Sequence, residues 1–297
     1  MSYYNEKILV IGDFILDEYI YGNVNRVSPE DRSVPVLDES QVIRALGGCG
    51  NVAKNLSALG CKNVHTSSVI HYEAEELFDE YDIDYVDSTL LGICPVKVRF
   101  VDLKTGKQLL RHDNILRYED YEIEHFHEKF MHEIQSELKH YGCIVISDYN
   151  KGIINSDFVY KAFDSFEGPI FVDTKQPSLS CWQKDNRIIM KINAKEFKQM
   201  MAMPVDVRSL IVTYGQEGCV FFDSGITDGF GVGSFYDTTP IFNSDVIGAG
   251  DCFLAGLVKK YMETGSVDAA IHYANRVASK SVEKTGTSTV FMGEIDE

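Results

Sequence analysis

Two hydrophobic periods alternate along this chain. Lys7-Ile8-Leu9-Val10-Ile11 is a short apolar run closed by Gly12-Asp13, the pattern of a buried strand ending in a turn. Cys143-Ile144-Val145-Ile146 before Ser147-Asp148, Ile170-Phe171-Val172 before Asp173, and Leu210-Ile211-Val212 before Thr213 repeat it. Strands apolar on both faces belong to a parallel sheet covered by helices. A helical period falls between and after them: Val52, Leu56 and Leu59, ending at Gly60, then Ile123, Phe126, Phe130, Ile134 and Leu138, then Ala270, Ile271, Ala274, Val277, Ala278 and Val282. Strand, helix, strand is the rhythm of an α/β doubly wound fold, its sheet mostly parallel and flanked by helices.

Two stretches keep a period of two instead. Residues 14–37 and 96–111 alternate like half-exposed strands, with Val96, Val98 and Phe100 set against Lys97 and Arg99. Turn residues stand at Gly22-Asn23 and Thr105-Gly106. These segments predict a small separate sheet over one end of the main one. With no internal repeat and no linker-like stretch, residues 1–297 read as one domain carrying that β appendage.

Composition narrows the partners. Of 297 residues, 44% are hydrophobic and 25% charged, as in ordinary soluble globular chains. The net charge of −17 repels nucleic-acid phosphates, so a DNA or RNA binder is not expected. A phosphorylated ligand must therefore meet a local cluster of cations or backbone N–H groups. No apolar run reaches the ~18 residues of a membrane span, and Met1 to Lys7 lacks the pattern of a secretion signal. The seven cysteines (49, 61, 94, 143, 181, 219 and 252) never stand C-x-x-C, which suggests neither a disulfide framework nor a zinc site. A cytoplasmic location is expected.

The most informative string runs from Asn243 to Asp251, ending Ile247-Gly248-Ala249-Gly250-Asp251. Small residues opening an amphipathic helix (Phe253, Leu254, Leu257, Val258, Tyr261) aim backbone N–H groups at an anion. Asp251 there is either a structural N-cap or a general base that deprotonates a hydroxyl for attack on phosphorus. No Gly-Lys-Ser/Thr follows, so this is not a Walker loop. Leu46-Gly47-Gly48-Cys49-Gly50-Asn51 is a second glycine-rich helix entry. It is either a tight strand–helix turn or a place where substrate touches backbone, with Asn51 bonding a hydroxyl and Arg44 pairing with a phosphate. Asn193-Ala194-Lys195-Glu196 has the spacing of a capping box, and Thr213-Tyr214-Gly215-Gln216-Glu217-Gly218 that of a hairpin. His125, His127 and His132 read as a polar helix face, because His127 and His132 are five apart rather than the four of H-E-x-x-H.

In order along the chain, these strings resemble the ribokinase-like (PfkB) carbohydrate kinases. Asp245-Val246-Ile247-Gly248-Ala249-Gly250-Asp251 is similar to that family's D-[TV]-x-G-A-G-D signature. Finer matches resemble the D-glycero-β-D-manno-heptose 7-phosphate kinase branch: Gly12 to Tyr19, Tyr21-Gly22, Arg26 to Glu30, Gly47 to Ala53, Ser147 to Gly152, and Gly286 to Val290. The resemblance spans Ile8 to Val290 and implies an ATP-dependent kinase acting on the anomeric hydroxyl of a heptose 7-phosphate. By that resemblance Asp251 is the catalytic base, and Gly248, Ala249 and Gly250 form the anion hole. Asn193, Ala194, Lys195 and Glu196 match the N-x-x-E string that organises Mg²⁺ and the ATP phosphates, with Glu196 acting on the metal indirectly. Thr213, Gly215 and Gly218 match nucleotide-side positions, and Asn275 and Gly286 fall where the adenine pocket closes. Asp13, Gly47, Gly48, Asn51 and Lys175 match sugar-side positions; Arg44, Arg111, Lys151 and Lys175 are the cations available for the 7-phosphate.

The resemblance also implies a homodimer formed through the β-lid, and the family allows a monovalent cation near the anion hole. Ile247 stands where the branch has threonine, Ile192 where it has proline, and Asp173-Thr174-Lys175 where it has D-P-K. The stretches from His71 to Asp84 and from Glu196 to Leu210 read as trimmed outer segments. No nucleotidyltransferase domain is expected after Glu297. The other readings are a kinase for a different sugar or sugar phosphate, and a non-catalytic sugar- or nucleotide-binding relative, which the intact Asp251 and glycine loop disfavour. A nicotinamide-dependent enzyme is disfavoured by the absence of G-x-G-x-x-G after the first strand.

Overall fold

The computed structural model describes residues 6–86, 89–114, 117–177, 182, 185–200, 207–223, 231–241, 245–284 and 286–295. Cys181, Asn243, Ser244 and Met1 to Asn5, which entered the reading above, lie outside them. The strands are β1 (Lys7–Gly12), β2 (Phe14–Val27), β3 (Pro35–Gly48), β4 (Val64–Ser67), β5 (Val69–His71), β6 (Asp84–Tyr85), β7 (Leu90–Gly92), β8 (Val96–Asp102) and β9 (Gln108–Asn114). They continue as β10 (Tyr141–Asp148), β11 (Ile170–Thr174), β12 (Ile188–Asn193), β13 (Ser209–Thr213), β14 (Cys219–Phe222) and β15 (Ser234–Tyr236). The helices are α1 (Cys49–Ala58), α2 (Glu75–Glu80), α3 (Asp120–Glu133), α4 (Ser156–Phe163), α5 (Ala194–Met200), α6 (Ala249–Thr264) and α7 (Val267–Val282).

Nine strands form the main sheet in the order β15-β14-β13-β12-β11-β10-β1-β4-β6. Its centre is parallel, and at one edge β14 pairs antiparallel with β13 and β15 antiparallel with β14. Every residue of β10 is buried, because helices cover both faces of a central parallel strand. The rings of Phe126, Phe130, Phe158 and Phe163 pack α3 onto α4, and Phe171 meets Tyr261 of α6. His127 belongs to this packing: its Nε2 lies 2.8 Å from the Ile153 carbonyl and its ring stacks on Phe158. The parallel strands β1, β10, β11, β12 and β13 all deliver their C-terminal ends to one rim of the sheet. Ligands of open α/β folds bind at that rim.

The second sheet has the order β3-β2-β8-β9 and is longer than its expected segments, reaching Gly48 and Asn114. The turn expected at Gly22-Asn23 is absent. Strand β2 runs through it with a register shift between Tyr21 and Gly22, since a bulge absorbs the glycine without ending the strand. A Cβ on Gly22 would sit 2.4 Å from the Asp38 carbonyl oxygen, so close approach of β3 is what requires glycine here. The β8–β9 connection does turn around Thr105, whose N–H and Oγ1 both bond Asp102. Strand β12 has no counterpart in the expected strands, because Lys191 interrupts its apolar run.

Candidate active site

Asp251 sits in the first turn of α6 and is 4% exposed. It is not an N-cap: Gly248 holds that position with φ 76°. Its carboxylate accepts instead from two distant elements, Oδ2 from Asn51 Nδ2 of α1 at 2.7 Å and Oδ1 from the Tyr149 hydroxyl at 2.8 Å. Burial raises its pKa above the ordinary aspartate value; Lys175, Asn51 and Tyr149 oppose that rise, and Asp173 adds to it. A carboxylate held this way is placed to act as a general base. Asn51 thus holds Asp251 in place, its amide N–H directed at the carboxylate.

Glycine opens α6 for steric reasons. A Cβ on Gly248 would lie 2.9 Å from Asn51 Nδ2, and one on Gly250 would lie 2.9 Å from Lys191 Nζ. The Ala249 N–H already bonds the Val246 carbonyl at 3.3 Å. Asp245 stitches the approach to the helix, accepting the Ile247 N–H at 3.0 Å and the Gly286 N–H at 2.8 Å. Lys191 is buried and paired with Asp173 at 2.7 Å; it was not singled out in the sequence, and its ammonium stands beside Gly250 at the first turn of α6.

A cavity of about 490 Å³ opens from this turn on the β12–β13 side. Of the expected nucleotide-side residues, Asn193, Thr213, Gly215, Gly218 and Asn275 line it, together with Ala249, Gly250 and Lys191. Val246, Phe253, Ala278 and Val282 make part of its wall apolar, as a flat aromatic ligand requires. Asn193 and Glu196 close a reciprocal capping box on α5: Asn193 Oδ1 accepts the Lys195 and Glu196 N–H groups, and Glu196 Oε2 accepts the Asn193 N–H. Ala194 and Lys195 form the first turn of that helix. Burial and the nearby Asp173 raise the Glu196 pKa. Gly286 lies elsewhere, beneath the Tyr19 ring of the lid, where a Cβ would meet Tyr19 Oη at 2.9 Å. It therefore closes the lid side and is not among the cavity-lining residues.

The acceptor side lies between Asp251 and the second sheet. In the register, Asp17 of β2 faces Lys97 of β8, which faces Asp113 of β9; Tyr19, Arg99 and Arg111 form the next row. Arg99 pairs with Asp17 at 2.5 Å in a buried bridge, and Tyr19 Oη contacts Thr287 Oγ1 and accepts the Thr287 N–H, both at 3.0 Å. This face of the lid looks into the site. Arg44 is opposite Glu18 on the other face, bridged to Glu18 at 3.0 Å and Glu73 at 3.4 Å. A phosphate-binding role for Arg44 is therefore overturned by strand parity. Arg111 is on the site face but committed to Asp113 through two bonds, at 2.5 and 2.6 Å.

Three further sugar-side residues stand differently from expectation. Asp13 is fully buried, its Oδ2 accepting the N–H groups of Tyr149 at 2.8 Å and Lys151 at 2.9 Å. It clasps the loop after β10 and is not open to a ligand; Lys151 is tied into the same clasp by its backbone. A Cβ on Gly47 would meet Asp17 Oδ2 at 2.3 Å, and one on Gly48 the Asp13 carbonyl at 2.2 Å. The glycines admit the chain's own lid root, so the tight strand–helix turn is the reading the geometry gives. Lys175 remains at the site, its Nζ 3.0 Å from the centroid of the Tyr149 ring. Tyr149, in none of the expected sets, thus touches both Asp251 and Lys175. Cys49 and Cys252 are buried in the walls, and burial pushes the Cys252 thiol up to about 12, which makes it unreactive.

Residues 186–292 match the pfkB family carbohydrate kinase family. The chain is 29% identical over 312 residues to "Bifunctional protein HldE" of Nitratiruptor sp., covering 98% of this chain and 64% of that protein. It is 30% identical over 314 residues to the protein of the same name from Geotalea uraniireducens, covering 97% and 62%. It thus spans less than two thirds of the length of these relatives. Among solved structures, a point variant of phosphofructokinase-2 from Escherichia coli superposes with a TM-score of 0.74 at 14% identity, covering 98% of this chain and 97% of that one. Ribokinase from Thermotoga maritima gives 0.67 at 16%, covering 98% of both. At such identities the structural likeness speaks for a shared ribokinase-like fold.

Proposed function

This chain belongs to the pfkB family of carbohydrate kinases, and we propose that it transfers the γ-phosphate of ATP to the anomeric hydroxyl of a heptose 7-phosphate. The products are heptose 1,7-bisphosphate and ADP. One observation carries the reaction type: a buried carboxylate, Asp251, stands at the N-terminal turn of α6 between a nucleotide-sized cavity and a lid. The sugar comes from the sequence resemblance to heptose 7-phosphate kinases along Ile8 to Val290.

Asp251 takes the proton of the acceptor hydroxyl. The freed oxygen attacks the γ-phosphorus, and the bond to the bridging oxygen breaks to leave ADP. Asn51 and Tyr149 hold the carboxylate on line throughout. Phosphoryl transfer needs positioning and charge neutralisation more than covalent help. The first-turn N–H groups of α6 and the Lys191 ammonium supply the neutralisation beside the transferring group.

Among the described residues no three His, Cys, Asp or Glu side chains form a metal cage, and ATP-bound Mg²⁺ uses one or two carboxylates with phosphate oxygens. The crowding of Glu196 against Asp173 fits such a cation, which Glu196 would help hold. When bound, Mg²⁺ neutralises charge on the phosphates. Among the described residues no helix is long and apolar enough to cross a membrane. A cytoplasmic kinase dimerising through its lid completes the reading.

The test is ADP release from Mg·ATP with heptose 7-phosphate, heptose, fructose 6-phosphate, ribose or buffer. Turnover with heptose 7-phosphate alone supports the proposal. Turnover with another sugar keeps the reaction and overturns the substrate. No turnover on any, with ATP still bound, points to a binding protein.

A further inference from the structure

Among the described residues of this −17 chain, Lys97 and Lys175 stand where a negatively charged acceptor would lie and make no close ion pair with a carboxylate. Lys97 projects from the site face of β8, between Asp17 and Asp113. Both neighbours are already committed, Asp17 to Arg99 and Asp113 to Arg111. Among the described residues, Lys97 has no carboxylate within ion-pair distance. Its half-buried ammonium hangs 5.0 Å from the centroid of the Tyr149 ring. Lys175, from the end of β11, approaches the same ring to 3.0 Å. Asp173, one of the carboxylates that act on it, is taken by Lys191.

Two ammonium groups converging on one ring repel each other, and weak cation–π contacts offset that only in part. Loss of hydration holds both lysines below the usual lysine pKa, with Asp251 among the carboxylates that oppose the shift. Such a pair is under-compensated in the absence of an anion. The ring that both approach carries its hydroxyl to Asp251, so an anion held here would stand beside the acceptor hydroxyl.

We propose that Lys97 and Lys175, set around Tyr149, clamp the non-reacting phosphate of a phosphorylated sugar. The clamp rests on the kinase reading and deepens it: acceptance of a sugar phosphate over a free sugar is decided by Lys97 on the lid and Lys175 on the sheet rim. Arg44 and Arg111 take no part. Because one lysine comes from each body, the phosphate also draws the lid onto the site.

Calorimetric titration of the full chain with heptose 7-phosphate, fructose 6-phosphate and the two unphosphorylated sugars tests this. The expected result is a sugar phosphate bound at least about tenfold more tightly than its free sugar, as one charge-assisted contact implies. Lys97→Met and Lys175→Met should each remove most of that advantage, with ATP affinity unchanged. Lys97→Arg should keep part of it, and its melting temperature reports whether the lid still folds. An advantage that survives in Lys97→Met overturns the clamp, as does equal binding of phosphorylated and free sugars by the parent chain. ADP release in parallel separates the two claims. Turnover on fructose 6-phosphate alone, with the lysine effect intact, refutes the heptose assignment and keeps the clamp.

Discussion

At the scale of single residues, the chemistry depends on how Asp251 is held. Burial raises its pKa, and the Tyr149 hydroxyl lowers it by bonding the charged form. Removing that hydroxyl therefore moves the pKa further up. In Tyr149→Phe the acid limb of the kcat profile should shift to higher pH, because the base form then needs a higher pH to appear. At its optimum kcat should fall about tenfold, as a lost charged hydrogen bond implies. An unmoved acid limb would mean that Tyr149 only packs. Lys191 follows a related logic: a lysine inside a central strand survives burial because Asp173 meets it at 2.7 Å.

At the scale of elements, the N-terminus of α6 is the piece least tolerant of change. Gly248 has φ 76°, and its missing Cβ leaves room for Asn51. Gly248→Ala should cost about 1–2 kcal/mol from the left-handed backbone alone. It should also loosen the Asn51–Asp251 bond, so a thermal melt and kcat should fall together. Unchanged melting would show that the loop relaxes freely.

The same scale shows how far sequence pattern reaches. Continuous apolar runs such as 8–11 and 143–146 announced central parallel strands, since nothing else buries both faces. The alternation at 96–100 announced a half-exposed sheet. Strand β12 escaped because its lysine is paid for by a partner eighteen positions away, which no local pattern records. The phosphate contact expected of Arg44 depends on one residue of parity in β3, which decides the lid face it occupies, and register is a tertiary fact. Tyr149, Lys97 and Lys191 were missed for the same reason: each gains its chemistry from neighbours on other elements. The string Ser147 to Gly152 carried the one sequence signal for Tyr149.

At the scale of the whole molecule, the sheet rim gathers acids that fold together. Burial and the neighbouring Asp148 push the Asp13 carboxyl up to about 7, against backbone N–H groups that lower it. Unfolded, it returns to the usual range near 4. Between these values the folded chain binds the extra proton, so this group's contribution to stability falls as pH rises from about 4 to 7. Asp13→Asn should flatten that part of the melting temperature against pH. A parent-like slope in the variant would assign the dependence to other groups.

The lid, braced within by the Arg99–Asp17 bridge and seated by Tyr19 on Thr287, meets the sheet rim at the site, where Lys97 approaches Tyr149. The proposed reaction requires Asp251 as the base at that junction. The most direct measurement is ADP release by Asp251→Asn with saturating Mg·ATP and heptose 7-phosphate, beside ATP binding by calorimetry. Loss of a general base costs ~10²–10⁴ in rate, so turnover should drop by at least that range while ATP still binds. Turnover equal to the parent's in a variant that binds ATP would contradict the account.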